Sequence, residues 1–185
     1  MPRVVSIYSD QAGTGKSTAA AYLCDWYGFH HVSFAAPVKQ AAIAIASPII
    51  GVSTATDWMV ERKEAPIHEL GGASLVDLCC TIGFAIREKH PGLLASIGKA
   101  SAQEIVERGG DVVIDDMRHV DEWHAIAKLG GEFVKLTRTT NTNTRSDMEG
   151  LLADLEFDVG FVIDAPQGDH SQLYGFLDTL AEGQI

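Results

Sequence analysis

SDQAGTGKST, residues 9 to 18, is the stretch whose reading decides the fold. In a glycine-rich turn, backbone N–H groups and the positive end of the helix that follows surround phosphate oxygens. A lysine ammonium reaches the outer phosphates, and a hydroxyl takes Mg²⁺. Gly13, Gly15, Lys16 and Ser17 supply those groups, Ala12 and Thr14 complete the turn, and Thr18 adds a second hydroxyl. The pattern GxxxxGK[ST] lacks only its first glycine, because Asp10 stands there. A carboxylate aimed at a bound triphosphate is repelled, by about 1 kcal/mol in water-like surroundings and by several when dehydrated. Asp10 must therefore point elsewhere or see Mg²⁺.

The flanks of this stretch carry the pattern outward. Val4 to Tyr8 is a short apolar, β-branched run that reads as a buried strand, and from Gly15 to Tyr27 the spacing turns helical. Further strands are expected at His31 to Phe34, Val112 to Ile114, Phe133 to Thr137 and Val159 to Ile163. Helices are expected at 37–45, 75–89, 93–108, 120–129 and 171–181, with Ser47 to Ala73 irregular apart from one short helix. Short apolar strands alternating with helices predict an α/β fold with a parallel sheet covered on both faces. Ligands in such sheets sit beyond the carboxyl ends of the strands. Ser9-Asp10 and Asp115-Asp116 fall there.

The chain has 185 residues, within the range of one domain, and 46% hydrophobic content suffices for a sizeable core. With 14 Lys plus Arg against 25 Asp plus Glu, its formal charge of -11 disfavours polyanions unless basic residues cluster locally. Cys24, Cys79 and Cys80 form no CxxC pair, which suits a reducing cytosol. MPRVVSIYS lacks the layout of a signal peptide, and no run approaches the roughly 18 apolar residues of a membrane span. A cytoplasmic protein without membrane partners is expected.

DVVIDDMRHVDEW, residues 111 to 123, places two carboxylates and Arg118 at the end of a strand. Asp116 suits a Mg²⁺ or acceptor role and Arg118 offers a fork for phosphate. The competing reading has an aspartate capping the next helix while Arg118 pairs with Asp121 or Glu122. No Glu beside Asp116 activates water in the manner of motor ATPases, and no NKxD motif reads guanine. Transfer to a bound acceptor fits better. Arg62, Lys63, Arg87 and Arg145 are candidate phosphate grips, each weighed against a solvated side chain.

The loop AGTGKST, SFAAPVKQAA (33–42), LVDLCCTIG (75–83), VVIDDMRHVDEWHAIAKLGGEFVKLTR (112–138) and FDVGFVIDAPQGDHSQL (157–173) resemble, in order, blocks of the bacteriophage deoxynucleoside monophosphate kinases. The resemblance implies an adenylate-kinase-like P-loop fold: a three-layer sandwich on a five-stranded parallel sheet, with a small acceptor-binding helical region at about 37–108 and a short lid at about 138–150. It implies ATP as donor, Mg²⁺ as cofactor and the host cytoplasm as location. Lys39, Asp116 and Arg118 match positions near the acceptor, Arg138 matches the arginine that opens the lid, and Asp164, Ala165, Pro166 and Gln167 match the turn beside the adenine. The chain departs from that pattern at Asp10, in an arginine missing before LVDLCCTIG, and in TRSDMEGL (144–151), which lacks the lid histidine.

These departures keep two other readings in view. A phosphate acceptor is already nucleophilic, whereas an alcohol acceptor gains from a carboxylate that takes its proton. Asp10, Asp115 and Asp116 grouped around a hydroxymethyl group on a modified pyrimidine, such as 5-hydroxymethyluracil in DNA, would serve that reaction. A non-catalytic ATP sensor is the third reading. The expected catalytic set is Lys16, Asp10, Asp115, Asp116 and Arg118; Ser17 and Asp116 are the metal donors; Lys39, Arg62, Arg87, Arg145, Asp116 and Arg118 face the acceptor. A homodimer is compatible with all three readings.

Overall fold

All five residues of the first strand, β1 (Val4–Tyr8), are buried, so its near-unbroken apolar run serves both faces of a sheet. The computed structural model describes residues 1–11, 13–139, 155, 157–166 and 168–184. Among these lie β2 (His30–His31), β3 (Val112–Ile114), β4 (Glu132–Arg138) and β5 (Val159–Ile163). The five strands form one sheet in the order β2-β3-β1-β4-β5, and every neighbouring pair is parallel. The central strand is β1, with Val5 opposite Val113 on one side and Tyr8 opposite Lys135 on the other.

Alternate residues of the strands face opposite layers. Val5, Ile7, Val113, Val134, Leu136 and Ile163 join Ala19 and Leu23 of α1 (Lys16–Tyr27) and Leu173, Phe176, Leu177 and Leu180 of the C-terminal helix, Ser171–Ala181, in one buried cluster. On the opposite face Phe133 stacks on Trp123 at 4.8 Å, which brings in the helix Val120–Ala127. Helix, sheet and helix make three layers, as expected from sequence. The second strand is shorter than expected and begins one residue earlier: Val32 still donates to the Val113 carbonyl, but the chain turns at Ser33 toward the next helix.

The chain divides into two compact units, Met1–Ser33 with Ala95–Ile185, and Phe34–Leu94. The first holds the sheet. The second is helical, with α2 (Ala36–Ile50), α3 (Val52–Glu61), a 3-10 turn (His68–Leu70) and α4 (Leu75–Lys89) around Ala42, Ala46, Ala55, Met59, Ile67 and Leu75. Ser47 to Ala73, expected to be mostly irregular, is thus largely ordered. Pro48 does not stop α2, because it lies in the last turn and the Gly51 N–H still reaches the Ser47 carbonyl. Ser74 and Asp77 cap α4 reciprocally, at 3.1 and 2.8 Å. That bonding, the Ser74 N–H first, holds the Asp77 carboxyl below its usual range.

Against the expectation that no run approaches spanning length, the stretch His68–Lys89 contains an 18-residue window with a mean hydropathy of 1.5. Gly71 and Gly72 break it, leaving α4 with 15 residues. At 1.5 Å per residue α4 falls short of the roughly 30 Å of a bilayer core. The remaining helices are α5 (Leu93–Glu107), α6 (Val120–Ala127) and α7 (Ser171–Ala181).

Helices α1 and α7 are tied by the Tyr22 and Tyr27 hydroxyls, which donate to the same oxygen of Asp178 at 2.8 and 2.7 Å. This bond, more than burial or charge, pushes the Tyr27 phenol from 10.0 up to about 12. A folded-state pKa above the unfolded value means that the contribution to stability is complete below pH 10 and is lost as pH rises toward 12. The melting temperature should therefore fall between those values in the wild type, and fall less in Tyr27→Phe, as followed by circular dichroism.

Candidate functional site: the loop between β1 and α1

The end of β1 turns through a chain of short-range bonds. Gln11 N–H donates to Ser9 Oγ at 3.1 Å, and Lys16 Nζ donates back to the Gln11 carbonyl at 3.2 Å. Gly13 and Gly15 adopt φ of 71° and 102°, a region that only glycine enters readily. A Cβ on Gly15 would also lie 3.1 Å from Leu173 Cδ2. No side chain caps α1, so its first amides are left to whatever fills the turn. A cavity of about 390 Å³ opens there, lined by Gly13 to Thr18, Arg138, Gly168 and His170. Around it Thr14 Oγ1, Arg138 Nε and His170 Nδ1 are buried without a hydrogen-bond partner among the described residues.

Arg138, at the end of β4, is 1% exposed. Its guanidinium donates to the carbonyls of Ala165 and Pro166 at 2.7 and 2.9 Å, and its backbone N–H donates to Gln11 Oε1 at 2.9 Å. One residue thus joins the loop to the turn after β5. Asp164 is exposed and accepts from Thr139 Oγ1 at 2.6 Å. Asp169 accepts from Ser171 N–H and Oγ, bonds that hold its carboxyl below the usual range.

The three aspartates meet different partners. Asp10 Oδ2 lies 3.4 Å from Lys135 Nζ, on the β4 side. On the β3 side, Asp115 Oδ1 is 2.7 Å from His31 Nε2, and Asp116 Oδ2 accepts from Ser33 Oγ at 2.5 Å. Neither Asp115 nor Asp116 caps the next helix. Glu122, 1% exposed, does so by accepting from the backbone N–H of Arg118 and His119 at 2.7 and 3.1 Å. Arg118 itself is exposed.

In the helical unit Lys39 on α2 is exposed, and together with Lys63 it pulls down the Cys79 thiol pKa, which burial pushes up more strongly. Both ammonium groups thus lie within electrostatic reach of Cys79. Arg62 lies over the Trp58 ring at 4.3 Å, and Arg87 is half-buried on α4. Ala12, Arg145, Gln167 and positions 140–150 of the expected lid lie outside the described residues.

The fold is similar to that of a solved structure, the dephospho-CoA kinase from Campylobacter jejuni, at a TM-score of 0.52 and 9% identity over 100% of both chains. The chain has the fold of a P-loop kinase. In sequence, a protein described as "Putative deoxynucleotide monophosphate kinase" from Acanthamoeba polyphaga mimivirus is 29% identical over 141 residues, 68% of this chain and 69% of that one. No protein-family model matches.

Within this kinase fold, sequence reasoning passed over Lys135, Gln11, Gly168 and His170. The signal for Lys135 was available: it is the one cation inside FVKLT (133–137), a strand otherwise read as buried. The ties made by Arg138 give a measurable expectation. Arg138→Met leaves the Ala165 and Pro166 carbonyls without their donor, which should lower unfolding free energy by about 2–4 kcal/mol. Arg138→Lys should fall between Arg138→Met and the wild type in urea denaturation.

Proposed function

We propose that the chain transfers the γ-phosphate of ATP to a deoxynucleoside monophosphate. The kinase fold and the kinase-named relative make it a phosphotransferase. The observation that carries the nucleotide reading is the cavity walled by Gly13 to Thr18, where uncapped α1 amides and the Lys16 ammonium meet. Amides and ammonium bind the polyphosphate and leave its outer phosphorus open to a second molecule. An oxygen of the acceptor phosphate attacks that phosphorus, the bond to the bridging oxygen breaks, and ADP departs. Here the protein's work is positioning and charge neutralisation.

Among the described residues no cluster of three or more His, Cys, Asp or Glu side chains is arranged to hold a metal. That suits Mg²⁺, which takes most of its ligands from phosphates and water and needs few from protein. Ser17 and Asp116 would hold it, and the ion would supply countercharge to the phosphates. Ser33 keeps the Asp116 carboxylate oriented. Lys39, Lys63, Arg62, Arg87 and Arg118 are the proposed acceptor grips, with Arg145 added from the sequence alone.

The alcohol-acceptor reading asked Asp10 to work with Asp115 and Asp116 as a base. Its carboxylate is engaged with Lys135 on the other side of β1 instead, which favours the monophosphate. Labelled ATP offered with each of the four monophosphates, and separately with DNA containing 5-hydroxymethyluracil, tests the choice. Label should pass to at least one monophosphate and not to DNA; the reverse pattern would sink the proposal. Lys16→Met should lower transfer at least about 100-fold without shifting the melting temperature by more than a few degrees.

A further inference from the structure

Position 10 carries an acid where a phosphate loop ordinarily has glycine. The strand register shows how the chain accommodates it. Tyr8 lies opposite Lys135 across the β1 and β4 pair, and Asp10 follows two residues later, just past the end of β1. Lys135 Nζ sits 3.4 Å from Asp10 Oδ2 and faces the Tyr8 and Phe157 rings at 5.9 and 5.7 Å. These rings stack on each other at 5.1 Å, so the ammonium rests on a fixed aromatic floor. Both partners are about one-third exposed, at 34% and 37%. For fold stability alone such a pair contributes little. Its location is what matters, since Asp10 is next to Gln11, whose carbonyl receives the Lys16 ammonium.

We infer that Lys135 is a positioning residue for the polyphosphate site: it draws the Asp10 carboxylate toward β4 and cancels its charge, so that the loop can accept an anion. The inference rests on the nucleotide reading above. Charge is felt over about 8–10 Å at ordinary ionic strength, and Asp10 is three residues from Gly13. Left unpaired, the acid would repel the incoming phosphates and compete with them for Lys16. Paired, its charge is offset by the ammonium beside it.

Calorimetric titration of ATP, with and without magnesium, into wild type, Lys135→Met, Asp10→Asn and the double variant tests this. Lys135→Met should weaken binding about five- to tenfold, more at low salt than at high. Adding Asp10→Asn to that background should restore affinity to within about twofold of wild type. Asp10→Asn alone should bind at least as tightly as wild type. If Lys135→Met does not fold, Lys135→Gln should give the same ordering. Unchanged binding in the lysine variant overturns the inference, as does weakened binding that Asp10→Asn fails to rescue, since Lys135 would then touch the nucleotide directly. A wild type that takes up no nucleotide overturns the phosphate-loop reading together with this one, a result distinct from either of those.

Discussion

A buried cation needs acceptors inside the protein, and around Arg138 the two that its Nη1 finds organise the site. Its guanidinium is aimed at two backbone carbonyls of the turn after β5, and its backbone N–H takes the side chain of Gln11. The loop after β1 and the turn after β5 come from opposite ends of the sequence, yet both are fixed to the end of β4. With these ties in place the cavity has walls on two sides, one of amides and one formed by Gly168 and His170.

Much of this was legible in the sequence where one local rule sufficed. The strand-loop-helix of residues 4 to 27 needs only an apolar run, two glycines with positive φ and an alanine-rich helix, and all are readable without tertiary knowledge. The role of Arg138 was not legible. An arginine at a strand end reads as a phosphate ligand, and nothing local says that carbonyls 27 and 28 residues later will claim its guanidinium. Glu122 shows the same limit. Two aspartates precede α6, each a plausible cap, but the buried carboxylate that takes the amides comes from inside the helix's first turn. The irregular reading of Ser47 to Ala73 failed for a different reason: Pro48 is accommodated in the last turn of α2, and Gly51 joins α2 directly to α3.

The sheet also sorts charge. On the β3 side of the central strand stand Asp115 and Asp116, held by His31 and Ser33. On the β4 side stand Lys135 and Arg138. Because β1 lies between them, the loop that follows it opens between an acidic flank and a basic one. In phosphoryl transfer such a division is useful: cations draw in the anionic donor, while carboxylates on the opposite flank serve a metal ion or orient the second reactant.

The pairing of Tyr8 with Lys135 across two adjacent strands, which sets the ammonium beside Asp10, makes the order of substitutions at positions 10 and 135 matter. Replacement of the acid by glycine first would leave a lone ammonium near an anion-seeking loop, a harmless intermediate. Loss of the lysine first would strand a carboxylate beside the same loop. The two positions are therefore coupled in order, the acid replaceable alone and the cation only together with it.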